Sequence, residues 1–380
     1  MKLAKVLNTN RIGKLLNAHG FGFFAGVPCS YLQSLINYAV NDQEYITAAN
    51  EGDAVAICAG ATLGGRKSVV LMQNSGLTNA TSPLTSLIYT FGIPILGFVS
   101  LRGDPEFADE PQHELMGQIT TGFLDLMRVP WTLLSRDMDE AVRQIEEADA
   151  VIKSGRPFFF VVRKDTFEET TLKPQVMNFP EPGRLVARTR QEEVPPRIEV
   201  LETLHRLAKP DCVLLATTGK TGRELHEVED APNNLYMVGS MGCVSSLGLG
   251  LALARKDRKI VAIDGDGAIL MRAGAMSALG YYRPANLLHI LLDNGTHDST
   301  GGQATVSGGI AFPAIAGAMG YPHAVHVHDL DELRAEFERW HQQGGLTFLY
   351  CRIAKGSKKN LGRPGLTPKQ VRTRLEEFLR

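Results

Sequence analysis

The sequence predicts an α/β fold of two doubly wound parallel-sheet domains, and three observations carry that prediction. Short apolar runs alternate with stretches of helical spacing along the whole chain. A segment rich in proline and charge interrupts the alternation near the middle. One stretch of the second half also spells out a β-α-β unit: Lys259 to Asp264 (KIVAID) has the pattern of a buried strand, Ala268 to Gly280 that of a helix, and Leu287 to Leu292 (LLHILL) that of a second buried strand. A right-handed crossover makes the two strands parallel. The residues just after each strand therefore emerge at one carboxyl edge, where open α/β sheets bind ligands.

In the first half, strands are predicted at Gly22 to Val27, Tyr45 to Ala49, Ser68 to Gln73, Ile93 to Ser100 and Phe158 to Val162. In the second half they are predicted at Cys212 to Thr217, Leu235 to Gly239, the two strands of the β-α-β unit, His323 to Val327 and Thr347 to Ile353. From Phe167 to Arg197 the buried runs disappear and Pro174, Pro180, Pro182, Pro195 and Pro196 gather among charges, as in a linker. The expected organisation is a domain over 1–166, a linker over 167–197 and a domain over 198–380, with no middle domain; 380 residues exceed one ordinary core.

The chemistry collects at the two strand ends of the β-α-β unit. Asp266 offers a carboxylate, Asn294 an amide oxygen and the turn at Thr296 a backbone carbonyl, all hard oxygens of the kind Mg²⁺ takes alongside phosphate and water. Gly265 and Gly267 let a backbone approach phosphates closely, and the helix that begins at Ala268 turns free N–H groups toward them. A Gly-Asp-Gly turn alone is often no more than a tight strand-to-helix connection; Asn294 at the next strand end argues for a site.

This pattern resembles the thiamine diphosphate motif of the pyruvate decarboxylase and acetolactate synthase superfamily. Asp293 stands where the first asparagine of the usual pair would be, and Asn294 keeps the ligand position. The resemblance implies a pyrimidine-binding (PYR) domain before the linker and a diphosphate-binding (PP) domain after it. It also implies a catalytic glutamate in the first domain. Glu51 suits that place, because it follows the strand YITAAN and opens a helix of small residues, GDAVAICAGATLGG. A carboxyl in a water-poor cleft, with raised proton affinity, would hold the cofactor's aminopyrimidine in the tautomer that activates it. By the same resemblance Gly239 gives a carbonyl to the aminopyrimidine and Met241 is the apolar wedge that bends the cofactor. Active sites of the superfamily lie between subunits, so a homo-oligomer is expected.

Five segments narrow the resemblance: Gly26-Val27-Pro28-Cys29-Ser30, Gln73-Asn74-Ser75-Gly76, Asp109-Glu110-Pro111-Gln112-His113, Thr218 to Leu225 (TGKTGREL) and Thr296 to Gln303 (THDSTGGQ). Together they are similar to the phosphonopyruvate decarboxylases, and sulfopyruvate decarboxylases share part of the set. Nonoxidative decarboxylation of 3-phosphonopyruvate to phosphonoacetaldehyde and CO₂, in phosphonate biosynthesis, is what this resemblance implies. The partner would be a small 2-keto acid with an anionic tail. His113 and His297 are the candidates for proton transfer. Lys220 and Arg223 are the candidates for the tail, and Gln112 and Ser30 are further candidates for binding substrate. Sulfopyruvate or another small 2-keto acid is the alternative substrate; a thiamine diphosphate-binding regulatory protein without chemistry is the alternative class, and Glu51 speaks against it.

Other motifs fail. Gly219-Lys220-Thr221 resembles the tail of a P-loop, but Leu214 stands where its first glycine belongs. Gly248-Leu249-Gly250 has Leu253 in the third glycine position of a dinucleotide fingerprint. His323, His326 and His328 lie on a strand where only the last two share a face, with no cysteine or acid nearby to complete a zinc set. Forty basic against forty-one acidic residues, without a long basic run, argue against nucleic-acid and membrane surfaces. The absence of a long apolar stretch or signal-like N-terminus leads to a cytoplasmic expectation. Five unpaired-looking cysteines read as reduced, buried thiols, with only Cys29 placed to face a cleft.

Overall fold

In the first half the apolar runs become β1 (Phe21–Gly26), β2 (Glu44–Thr47), β3 (Lys67–Gln73), β4 (Leu96–Ser100), β5 (Trp131–Leu133) and β6 (Phe158–Val162). All pair in parallel, in the order β2-β1-β3-β4-β6-β5. Strands covered by helices on both faces need continuous apolar sequence, and β4 and β6 are buried at every position. The computed structural model describes residues 6–176, 181, 183–186, 194–208, 211–358 and 360–380. It forms two compact units, Met1–Met177 and Asn178–Arg380.

The first unit is fastened by its own ends. Leu7 bridges Phe167 in parallel, and both lie in the core with Phe24, Phe98 and Phe160. Residues 168–173, expected to be linker, continue this fastening: Asn37 Nδ2 donates to the Thr170 carbonyl at 2.7 Å, and the Lys173 N–H donates to Asn41 Oδ1 at 2.8 Å. Pro180 and Pro182 of the predicted linker lie outside the described residues.

In the second unit the strands are β7 (Arg184–Val186), β8 (Cys212–Ala216), β9 (Asn234–Tyr236), β10 (Lys259–Gly265), β11 (Leu287–Asp293), β12 (Thr296–His297), β13 (Gln303–Ala304), β14 (His323–Val327) and β15 (Thr347–Arg352). The main sheet runs β7-β14-β15-β11-β10-β8-β9, all parallel, while β12 and β13 form a small antiparallel hairpin. With β7 set aside, this is the strand order of the first sheet counted from β8. In both, the second strand lies outside the first, the third returns on its other side, and the last two are exchanged.

Two expectations are corrected. The helix predicted over 268–280 is two, Asp266–Met271 and Ala275–Tyr282, separated at Arg272–Gly274, where glycine weakens helical continuity. The linker expected over 167–197 contains β7, an edge strand too short to show a period. Among the described residues no helix is long and apolar enough to cross a membrane.

Candidate functional site

In the second unit the chain leaves β8 toward β9 and returns to β10 on the other side of β8, so the crevice at the carboxyl ends of β8 and β10 is a topological switch point. Asp266 sits there, at the first position of its helix and only 3 % exposed. Its carboxylate accepts the Thr305 hydroxyl. Burial lifts the Asp266 carboxyl above its ordinary range and the neighbouring charge of Asp293 lifts it further, against the hydroxyls of Thr305 and Ser307. Asp293, also buried, accepts the Gly295 N–H at 2.9 Å, the Ser307 hydroxyl at 2.9 Å and the Tyr350 hydroxyl at 2.8 Å. Two buried acids thus stand side by side, and among the described residues neither forms an ion pair. Such a pair calls for a cation.

Asn294 and Thr296 complete the arrangement. The Asn294 Nδ2 donates to Asp298 Oδ2 at 2.7 Å, and its Oδ1 accepts the Thr296 N–H at 3.1 Å. The Thr296 hydroxyl donates to Asp298 Oδ1 at 2.9 Å. Burial alone would raise the Asp298 carboxyl; its bonds to Arg197 and Thr296 prevail and leave it below the usual range.

Gly267 forms the floor. A Cβ there would lie 2.5 Å from His297 Cε1 and 3.3 Å from Met241 Cε, so the wedge candidate and one histidine candidate converge over the Gly-Asp-Gly turn. What brings Met241 in is an unusual backbone: Gly239, Ser240 and Gly242 have φ of 73°, 47° and 89°. A serine in the left-handed region is costly, and such residues persist where the surroundings fix them. The Gly239 N–H donates to Thr218 Oγ1 at 3.1 Å, and a Cβ at Gly242 would meet the Ala268 carbonyl at 2.8 Å, which ties this turn to both neighbouring strand ends.

The two tail candidates separate. Lys220 opens the helix Lys220–Val228, is half-buried, and makes no hydrogen bond or ion pair among the described residues. Arg223 lies one turn on, but its guanidinium is taken: Nε donates to the Gly362 carbonyl at 3.0 Å and Nη2 to the Leu361 carbonyl. Arg223 holds the 361–362 segment and has little left for a substrate, because the carbonyls it reaches suit a planar fork as well as a phosphonate would.

The first unit has its own switch point, between β1 and β3. Glu51 opens the helix Glu51–Leu63 as expected, with Asn50 Oδ1 capping the Gly52 N–H at 2.8 Å. Its Oε2 accepts Asn79 Nδ2 at 2.8 Å, and a Cβ on Gly76 would lie 2.4 Å from Glu51 Cγ. The carboxyl is half-buried rather than enclosed. His113 is 8 % exposed and its Nδ1 has no partner among the described residues, whereas Gln112 is exposed.

Sequence reasoning missed what organises this loop. Asp109 accepts Arg102 at two positions, the Gly103 and Glu110 N–H groups at 2.8 and 2.9 Å, and the Tyr31 hydroxyl at 3.0 Å. The Arg102 guanidinium holds the Asp109 carboxyl well below the usual carboxylate range, and burial with Asp109 beside it pushes the Tyr31 phenol up to about 12. Arg102 also donates to Ser30 Oγ at 2.9 Å, so Ser30 is tied to this cluster. Cys29, expected to face the cleft, is buried with its thiol donating to Ser100 Oγ at 3.1 Å. All five cysteines are buried and none forms a disulfide among the described residues.

Comparison with known proteins adds the context. The family described as thiamine pyrophosphate enzyme, C-terminal TPP binding domain, matches residues 218–351. Over 376 residues the chain is 41 % identical to a phosphonopyruvate decarboxylase from Streptomyces viridochromogenes, covering 96 % of this chain and 93 % of that one. A sulfopyruvate decarboxylase from Methanosarcina acetivorans is 28 % identical over 382 residues, 97 % of each chain. Among solved structures, the thiamine diphosphate-dependent 4-hydroxybenzoylformate decarboxylase of Rhodococcus jostii RHA1 superposes with a TM-score of 0.69 at 12 % identity, covering 93 % of this chain and 100 % of that one, which shows the shared fold.

Proposed function

The chain belongs to the phosphonopyruvate decarboxylase family, and on that premise we propose that it converts 3-phosphonopyruvate into phosphonoacetaldehyde and CO₂ with thiamine diphosphate and Mg²⁺. The observation that carries the cation is the buried Asp266–Asp293 pair without a cationic partner, next to an Asn294 amide already aligned. The residues fit the group: the Asp266 carboxylate, the Asn294 oxygen and the Thr296 carbonyl would hold Mg²⁺, and Gly265, Gly267 and Ala268 would leave room for the diphosphate.

When bound, thiamine diphosphate supplies the carbon nucleophile and the electron sink that a 2-keto acid lacks. The chain does the rest. Glu51 would hydrogen-bond the aminopyrimidine ring nitrogen, and Asn79 fixes its carboxyl for that task. Gly239 and Met241 orient the ring system. His297, over Gly267, and the buried His113 are the groups that can deliver a proton once CO₂ has left. Lys220 takes the phosphonate, since it is the tail candidate whose ammonium makes no hydrogen bond or ion pair among the described residues. We include in this reading a homo-oligomer in which Glu51 of one copy and Asp266 of another serve one site; the family resemblance supports it. Mixing Glu51→Gln with Asp266→Ala protein should then regain activity that neither has alone.

The deciding experiment is turnover of phosphonopyruvate, sulfopyruvate and pyruvate side by side, on protein stripped with a chelator and resupplied with thiamine diphosphate, with and without Mg²⁺. Phosphonopyruvate should have the highest kcat/KM and should require the metal. Sulfopyruvate ranking first would move the protein to the substrate of its more distant relative, and full turnover without a divalent ion would remove the metal.

A further inference from the structure

Beneath the Asn294–Thr296 turn runs a chain of buried charges that neither the cofactor nor the substrate reading uses. Arg197, 6 % exposed, is the first residue of the helix Arg197–Leu207. Its Nη2 reaches Asp298 Oδ2 at 2.7 Å, and its Nη1 lies 3.4 Å from Glu224 Oε1. Asp298 uses the same Oδ2 to accept Asn294 Nδ2 at 2.7 Å and its other oxygen to accept the Thr296 hydroxyl at 2.9 Å. The carboxylate is thus engaged from three sides, twice by residues of the turn and once by a guanidinium.

The consequence falls on the Asn294 amide. An amide can turn its oxygen or its NH₂ toward a given point, and a cation accepts only the oxygen. With Nδ2 committed to a carboxylate, a flip would set Asn294 Oδ1 against Asp298 Oδ2, two acceptors facing one another. Oδ1 is therefore held on the side away from Asp298, where the Thr296 N–H takes one of its lone pairs and one remains. The hold on the Thr296 hydroxyl fixes the same turn at a second point. Arg197 is shared unequally, close to Asp298 and far from Glu224, whose Oε2 is buried with no partner among the described residues. Its main service is to Asp298.

We propose that Asp298 is a positioning residue for the divalent cation: it fixes the Asn294 amide with its oxygen toward the metal, and Arg197 holds Asp298 in place. This rests on the thiamine diphosphate and Mg²⁺ reading, and the test separates the two. Uptake of thiamine diphosphate by the stripped full-length protein is followed by calorimetry over a series of Mg²⁺ concentrations. Asp298→Asn should raise the half-saturating Mg²⁺ concentration by about 10- to 100-fold, the range for residues that orient metal ligands, while kcat at saturating Mg²⁺ stays near the original. Arg197→Lys, which keeps the charge but loses the fork, should show a smaller rise in the same direction and decides the matter if Asp298→Asn does not fold. Glu224→Gln should leave the Mg²⁺ requirement where it was. An unchanged requirement in folded Asp298→Asn or in Arg197→Lys, or an equal rise in Glu224→Gln, overturns the inference alone. No uptake by the unsubstituted protein overturns the cofactor reading and this inference with it.

Discussion

The two sheets follow one strand order, yet their switch points are chemically opposite. At the β1–β3 end the Glu51 carboxyl is held by an amide, Asn79, and Asn74, fully buried, donates to the Arg102 carbonyl and the Thr120 hydroxyl. At the β8–β10 end two buried acids stand together with no cationic side chain paired to them among the described residues, and a left-handed turn presses Met241 toward them. Strand order alone thus sets where a ligand can lie. The few residues after each strand decide what is done to it, one end presenting a carboxyl held by an amide and the other a pair of buried acids.

That division can be broken experimentally. The largest effect should come from Asp266→Ala, which removes the anchor: thiamine diphosphate uptake with Mg²⁺ should drop below detection in calorimetry, while far-UV circular dichroism stays native. Uptake at the original affinity would mean the second unit's acids do not hold the cofactor. Next, Glu51→Gln should lower kcat by roughly 10³-fold, within the span of a lost proton-transfer group, and leave cofactor uptake almost intact. If uptake fell as well, the two ends would not divide the work. Gly76→Ala sharpens the first end, because its methyl would meet the Glu51 side chain at 2.4 Å; displacing that carboxyl should cost about 10²-fold in kcat. Smallest of the four is Lys220→Ala, expected to raise KM for phosphonopyruvate about tenfold by loss of one charge-assisted contact, with cofactor affinity unchanged. An unaltered KM would remove Lys220 from the substrate.

The candidate residues that the sequence singles out are those whose place is set locally. Asp266 and Asn294 end consecutive strands, and Glu51 opens a helix after an apolar run, so each could be placed from a few neighbours. Arg197 and Asp298 could not: their roles depend on a contact across about a hundred residues of chain, and Arg197 stood at the end of a stretch that composition marks as linker. Arg102 and Asp109 escaped for a different reason, since a loop of charges reads as solvated surface until burial shows that one carboxylate gathers it. Of the strands that were missed, β5 and β7 are edge strands of three residues, and β12 and β13 are a hairpin of two-residue strands, all too short to show a period. Arg223 shows the opposite case: charge and position suit the anionic tail, but a returning segment of backbone takes two of its guanidinium nitrogens.

The bridge between Leu7 and Phe167 has a consequence for how the protein is made. Because the N-terminal end of the first unit is closed by residues near its C-terminal end, that half cannot finish folding until Phe167 has left the ribosome. From the end of β3 at Gln73 to Phe167, the usual pace of translation leaves roughly 5 to 19 s during which the nascent β1 and β3 wait with unsealed flanks. A chaperone's best opportunity to act on this chain falls in that interval, and substitutions at Leu7 should show themselves first as poor yield of newly synthesised protein.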